Sequence, residues 1–463
     1  MQFLFNEVTS LDRRCYEQFD LSEDILMEHA ADGMADYIRQ HFSKIETIVI
    51  VCGAGNNGAD GITLARLLYG EYAVKVYLPF GVKSPMAQLQ FRRAEKLGLL
   101  FEDDLSKADI LVDALFGSGF SQGFNDQSVL LLKEMNEMDA VKIACDIPSG
   151  LHLDGRREPQ TFQAEITLTM GALKRGMFSD TAKEVVGNIA VLDLGISREQ
   201  YETTSLWQLL ERADMQLPHR LNVNSHKGSY GHLGVICGEK EGAAVIAGSA
   251  ALHFGSGLVT LLSNEKVNIP YELMQSHLLP STTTAMALGM GLGQEFSESE
   301  LLCLLDHNLP LLLDADIFSH PLLSVLLERQ NSVLTPHPKE FISLLKQCDL
   351  ADITVEELQL QRFHYVELFS KTYPHITLLL KGANVIIAFE GKFFVNPHGT
   401  NVLAKGGSGD VLSGLIGALL AQGYTPLDAA ISGSLAHTAI ASAWDKNSYA
   451  FTPNNLIEGL ASL

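Results

Sequence analysis

Short apolar runs that stop abruptly at glycine or aspartate recur along this chain, and they restrict it to few folds. Ile48-Val49-Ile50-Val51 runs into Gly53-Ala54-Gly55-Asn56-Asn57-Gly58-Ala59-Asp60-Gly61, and then into the helical stretch Ile62-Thr63-Leu64-Ala65-Arg66-Leu67-Leu68. Residues 73–78, 109–113, 141–146, 165–170 and 188–192 read as further strands. A second series opens at Leu233-Gly234-Val235-Ile236-Cys237-Gly238, passes through a helix over 243–254 and returns as a strand over 258–262. Strands this short and apolar, separated by helical stretches, predict mainly parallel sheets covered on both faces, the α/β class. In such sheets a ligand lies beyond the carboxyl ends of the strands.

The length of 463 residues suggests about two to four domains. Thirty-three Lys and Arg against 55 Asp and Glu leave a formal charge of -22, which disfavours nucleic acid or an acidic membrane as partner. Six cysteines lack CxxC spacing, so neither zinc nor a redox motif is indicated. Cys52, Cys145 and Cys237 end apolar runs and are expected in cores. The start, Met1 to Glu7, reaches an acid too soon for a secretory signal. No apolar run reaches the ~18–20 residues of a membrane span. A cytoplasmic location is therefore expected.

Residues 8–42 read as two helices, the second capped by Ser22, with His29 packing on its apolar face. The loop after residue 51 satisfies GxGxxG through Gly53, Gly55 and Gly58. An ordinary NAD site expects an acid about 20 residues on. The second strand instead ends at Pro79-Phe80, so a standard hydride-transfer site is not read. Asn56, Asn57 and Asp60 could hold a hard cation or ligand hydroxyls, or could form an Asn/Gly-rich turn with a helix cap. Strands ending at Asp113 and Asp146 lead into small-residue loops, 114–120 and Ile147-Pro148-Ser149-Gly150. Asp113, Asp146 and the 56–60 loop are expected to converge on one cleft. Residues 197–225 are polar and mixed and read as a connector.

In the second half, 287–293 reads as a strand ending in spaced glycines, 309–316 as a strand with acids at its end, and 332–340 as a strand followed by a stiff loop. His337, between Pro336 and Pro338, is expected to touch a ligand. Residues 377–385 read as a strand with Lys381 and Gly382 at its tip; Lys381 meets either a phosphate or solvent. Lys405-Gly406-Gly407-Ser408-Gly409-Asp410 then opens a buried helix over 411–420. Small residues leave N–H groups uncovered, and the helix N-terminus adds positive potential, so an anion can sit there. Asp410 is a candidate base for phosphoryl transfer. The helix dipole is expected to keep it ionised and only weakly basic.

Taken together these strings resemble the bifunctional NAD(P)H-hydrate repair enzymes, over nearly the whole chain. The first domain matches through Leu26-Met27-Glu28-His29-Ala30, residues 53–61, 113–120 and 146–150; the second through 251–259, 289–293, 313–316, 334–340, 380–383 and 404–414. The resemblance implies a Rossmann-like three-layer epimerase domain over 1–205, a connector over 206–225, and a ribokinase-like dehydratase domain over 226–463. It implies an enzyme that interconverts R and S hydrates of NADH and NADPH and dehydrates the S form at the expense of ADP or ATP, with Mg2+ accompanying the nucleotide.

By the same resemblance the hydrate meets Asn56, Asn57, Gly58, Ala59 and Asp60, the pyrophosphate cradle Gly117, Ser118, Gly119, Phe120, Ser121, Gln122 and Gly123, and the acid/base Asp146. Potassium would be held by Asn57, Asp113 and Ser149. In the dehydratase the hydrate meets Ala243, Gly293, His337 and the catalytic Asp410; the nucleotide meets Lys381, Gly382, Ala383, Asn384, Val385 and Gly409. Small molecules are the implied partners, within a homo-oligomer. Two positions depart from the family pattern. Ala59 replaces a usual glycine, which is harmless only if it lies in the helix. Cys237-Gly238-Glu239-Lys240-Glu241-Gly242 replaces a Gly-Gly-Ser-like turn. A small-molecule kinase, or a dinucleotide-binding sensor without catalysis, would share much of this chemistry.

Overall fold

A computed structural model describes residues 1–463 except Ser121, Gln122 and Asp306. Its contacts divide the chain into two units, Gln2–Trp207 and Gln208–Leu463, the latter with Met1.

The strands of the first unit are β1 (Gln2–Phe5), β2 (Thr47–Cys52), β3 (Ala73–Tyr77), β4 (Phe101–Glu102), β5 (Ile110–Ala114), β6 (Val141–Cys145), β7 (Ile166–Met170), β8 (Leu173–Lys174) and β9 (Asn188–Leu192). One seven-stranded sheet has the order β4-β3-β2-β5-β6-β7-β9 and is parallel throughout. β1 pairs in parallel with β8. Alternation explains the continuous apolar runs. Ile48, Ile50 and Cys52 join a cluster with Met34, Ile38, Ile62 and Leu68 on one face, while Val49 and Val51 join Leu131, Leu132 and Met135 on the other. The helices Glu23–His41 and Asn56–Leu68 thus cover one side and Asp126–Glu137 the other, the expected three layers. Cys52 and Cys145 are buried in this core. The chain runs outward from β2 to β4, then crosses back to β5 on the far side of β2. That switch point parts the loops after β2 and β5 and leaves a crevice between them.

β10 (Trp207–Leu209) lies at the boundary between units. The second unit then contains β11 (His232–Ile236), β12 (Leu258–Leu262), β13 (Met274–Ser276), β14 (Ala285–Leu288), β15 (Leu311–Leu313), β16 (Ser332–Leu334), β17 (Thr377–Leu380), β18 (Val385–Phe389) and β19 (Lys392–Asn396). The order β13-β12-β11-β14-β15-β16-β17 is parallel, and the hairpin β18–β19 continues it antiparallel. Here the switch point falls between β11 and β14. Two small-residue helices, Glu241–His253 and Ser408–Ala421, pack backbone to backbone: a Cβ on Gly414 would stand 2.2 Å from the Ala247 carbonyl oxygen.

Four expectations are corrected. The strand expected over 287–293 ends at Leu288, because Gly289, Gly291 and Gly293 all have positive φ, which no strand accommodates. The strand expected over 309–316 is only Leu311–Leu313, and a 3-10 turn over Ala315–Ser319 follows Asp314. The run 377–385 is two strands: β17 stops at Leu380 and Val385 begins β18 in the opposite direction. Apolar residues on both sides of the turn hide that reversal from periodicity. The polar stretch 197–225 includes the helix Arg198–Tyr201 and β10, and Tyr201 and Leu210 are buried within it.

Two candidate active sites

In the first unit a cavity of about 1050 Å³ opens at the switch point. Asn56, Asn57, Asp60, Gly117, Ser118, Gly119, Phe120, Gly123 and Asp146 line it; Ser121 and Gln122 lie outside the described residues. The glycine loop turns directly into the helix Asn56–Leu68, capped from Gly55. Gly58 lies so close to the preceding strand end that a Cβ there would be 1.8 Å from the Gly53 carbonyl oxygen. Ala59, which departs from the family pattern, is helical: its N–H donates to Gly55 O at 3.1 Å, and its φ is not positive. Alanine is therefore unstrained there.

Asp146 and Asp113 end adjacent strands but play different parts. Asp146 lies at the cavity wall with φ 69°. Its Oδ1 is 2.6 Å from the Lys174 ammonium and accepts from Met170 N at 3.3 Å; its Oδ2 accepts from Ser118 N at 3.4 Å. Asp113 does not line the cavity. It is 0% exposed, and accepts from Ser149 Oγ (2.7 Å), Ser149 N (2.8 Å) and Leu115 N (3.1 Å). Burial pushes it up to about 6, against the downward pull of those hydrogen bonds. Asp60 is held well above the usual carboxylate range, first by burial and then by the charges of Asp146, Asp12 and Glu23. Asn57 Nδ2 is buried without a hydrogen-bond partner among the described residues. That unpartnered atom is a donor and calls for an acceptor on a ligand; the hard oxygens suited to a monovalent cation are those of the buried Asp113 carboxylate and the Ser149 hydroxyl bonded to it.

In the second unit the loops after β14, β15, β16 and β17 and the start of the helix Ser408–Ala421 face the same end of the sheet. Asp314, at the end of β15, accepts from Lys381 Nζ at 2.7 Å and from Ser413 Oγ at 2.6 Å. Lys381 is thus paired, and its Nζ comes within 3.5 Å of the Cβ position of Gly409. Asp410 is the third residue of its helix, not the first. It is also not the acidified carboxylate expected from the dipole: burial and then the charge of Asp314 push it up to about 6, with Lys381 pulling the other way. Gly407, at φ 88°, caps this helix and packs on Pro453. Lys405 leaves the site and donates to Tyr449 O at 2.8 Å.

His337 caps the helix Pro338–Gln347: its Nδ1 accepts from Glu340 N at 3.1 Å while Glu340 Oε2 accepts from His337 N at 2.7 Å. The ring nonetheless remains 47% exposed at the strand end. Gly293 N donates to Asp316 Oδ2 at 3.1 Å, and Gln294 N to Glu239 Oε1 at 3.0 Å, so the unusual 237–242 turn contributes a side chain beside Gly293. Ala243 is half-buried in the first turn of Glu241–His253. Gly382 and Ala383 are exposed in the turn after β17, whereas Asn384 and Val385 are buried.

Three structural supports are absent from the sequence reading. Lys174 sits under Asp146. Arg362, buried at the start of Arg362–Thr372, donates to the carbonyls of Lys381 (3.1 Å) and Asn384 (3.4 Å) and so holds the turn between them. His437 Nε2 is 3.0 Å from Ser408 O, and burial pushes it down to about 4. Each is one polar residue in an unremarkable local pattern, so only the tertiary contact reveals it.

Two α/β units, each with a parallel sheet, one with a dinucleotide-sized cleft and one with a glycine-capped helix start beside a carboxylate, define a two-site α/β class. A family model described as NAD(P)H-hydrate dehydratase matches residues 233–461, and one described as YjeF-related protein N-terminus matches 23–176. The chain is 42% identical to the bifunctional NAD(P)H-hydrate repair enzyme of Helicobacter pylori over 477 residues, covering 100% of each. It is 34% identical to that of Coxiella burnetii, covering 94% of this chain and 93% of the relative. An ADP/ATP-dependent NAD(P)H-hydrate dehydratase structure from Bacillus subtilis, co-crystallised with ATP/Mg2+, superposes with a TM-score of 0.46 at 29% identity, covering 54% of this chain and 94% of that one. The chain belongs to the family of bifunctional NAD(P)H-hydrate repair enzymes. Among the described residues no helix is long and apolar enough to cross a membrane.

Proposed function

We propose that the first unit interconverts the R and S hydrates of NADH and NADPH, and that the second returns the S hydrate to the dinucleotide. The ring hydroxyl stands next to a nitrogen whose lone pair can help expel it. Protonated, it leaves as water; water returning to the other face gives up a proton. Asp146, with one oxygen toward the cleft, moves these protons. The 56–60 loop, which reaches the cleft through Asn56, Asn57 and Asp60, and the 117–123 loop bind the hydrate. Asn57, Asp113 and Ser149 hold potassium, which would neutralise the buried Asp113 and fix the loop that carries Asn57. The buried Asp113 carboxylate, which among the described residues pairs with no cationic side chain, supports that reading.

In the second unit Asp410 takes the hydroxyl proton as the terminal phosphoryl of ADP or ATP, entering with Mg2+, transfers to that oxygen. The amides of Gly406, Gly407 and Gly409 stabilise the charge on the phosphoryl group; the C–O bond to the phosphate then breaks, the neighbouring ring carbon gives up a proton to the departing phosphate, and the double bond forms. Ala243, Gly293 and His337 bind the hydrate; Lys381 to Val385 and Gly409 bind the nucleotide. The observation that carries this is Asp410, half-buried at a glycine-capped helix start beside the Asp314–Lys381 pair. By the same family resemblance we place the enzyme in the cytoplasm as a homo-oligomer, which light scattering would test.

Hydrated NADH incubated with ADP should return NADH absorbance with release of phosphate. A phosphorylated product that persists would make the protein a kinase, and binding without turnover a sensor. Asp410→Asn should lower dehydration roughly 100-fold or more; near-normal turnover would remove Asp410 as the base.

A further inference from the structure

The two oxygens of Asp146 are not equivalent. Oδ1 is held from two sides, by the Lys174 ammonium at 2.6 Å and by Met170 N at 3.3 Å. Oδ2 has among the described residues a single long contact, Ser118 N at 3.4 Å, on the loop that borders the cleft. Lys174 itself is 0% exposed and does not line the cavity. Its Nζ also donates to Thr169 Oγ1 at 2.8 Å and Met170 O at 3.2 Å, so the ammonium is clamped from the β7 side as well. It reaches this place because Lys174 ends β8, whose register sets it opposite Phe5 of β1.

We propose that Lys174 is the positioning residue of the first site: it anchors Oδ1 beneath the cleft so that Oδ2 alone faces the hydrate and carries the proton. This rests on the reading of Asp146 as the acid/base. Among the described residues Asp146 is the one carboxylate within ion-pair distance of the buried Lys174, whose charge reaches Asp12 and Asp60 only from farther off. The other carboxyls around Asp146, those of Asp60, Asp12 and Glu23, make no ion pair with it, and Asp12 instead accepts from Tyr201 at 2.7 Å. Without the ammonium only two long backbone contacts, from Met170 N at 3.3 Å and Ser118 N at 3.4 Å, would hold the Asp146 side chain, and its two oxygens would compete for the one productive position.

The test follows exchange between R and S hydrates of NADH by the full chain without nucleotide, so that dehydration is silent. Lys174→Met should lower kcat roughly 10- to 100-fold and leave KM within about twofold, since Lys174 does not touch the hydrate. Combined with Asp146→Asn, it should add no further loss, because it acts through that carboxylate. An unchanged kcat in Lys174→Met, or losses that multiply in the double variant, would overturn the proposal. If Lys174→Met does not fold, Thr169→Val decides. This near-isosteric change loosens the ammonium without touching Asp146, and a kcat drop of about threefold or more supports the proposal, while an unchanged kcat rejects it. Normal turnover by Asp146→Asn alone would instead remove the acid/base assignment, a separate and distinguishable failure.

Discussion

Asp410 shows how far a carboxylate at a helix start can be moved by its surroundings. The dipole favours its charge, but burial and Asp314 outweigh it and bring it to about 6. A base must be ionised, so dehydratase kcat/KM is expected to hold above this value and to fall as pH drops through about 6. In Asp314→Asn the repelling charge is gone and Lys381 is released, so the acid limb should move to lower pH; a stationary limb would assign it to another group. His437 works in the opposite sense for stability. Folded, it protonates only near 4, whereas in the unfolded chain it protonates near the ordinary histidine value of 6.5. Between these values the unfolded chain binds the extra proton, so stability is lost as pH falls from about 6.5 towards 4. Urea midpoints at pH 7 and pH 5 should differ more in the wild type than in His437→Gln.

Among the elements, the start of the helix Asn56–Leu68 is the most tightly specified. Gly58→Ala would drive a methyl into the Gly53 carbonyl, and an overpacking cost of about 3 kcal/mol is expected by chemical unfolding, with loss of the cleft. One residue on, Ala59→Gly should cost about 1 kcal/mol, because a helical position gains only flexibility. Equal effects at the two positions would contradict this local geometry. The central strands β2, β5 and β11 were legible because each is buried on both faces and so forms an unbroken apolar run. The same property hid the turn between β17 and β18: apolar residues flank it on both sides, and direction leaves no mark on composition. β4 and β8, two residues each, and β1, four residues long, have no periodicity to read.

At the scale of the molecule, each unit carries its own switch point, and each site is built wholly within one unit. The activities should therefore separate. Asp146→Asn, given a mixture of R and S hydrates with ADP, should return NADH quickly and then stall once the S epimer is consumed; Asp410→Asn should still equilibrate the epimers. A variant that loses both activities would contradict this division. Potassium in place of a bulky organic cation should raise the unfolding midpoint of the first unit at pH 7.5, above the value of Asp113, where the buried carboxylate is ionised and needs a counter-charge. No difference between the cations would remove the potassium reading.

The chain's order of strands, glycine loops and strand-end acids was enough to predict two α/β units and to name loops at the carboxyl ends of their strands. Those features depend on neighbours a few residues away, and they survive in the linear code. Which oxygen of Asp146 Lys174 holds, why Lys381 pairs with Asp314, and how Arg362 and His437 brace the second site were decided only by tertiary structure. Each depends on a polar group brought from tens of residues away to a buried or half-buried partner, where one contact sets both geometry and charge.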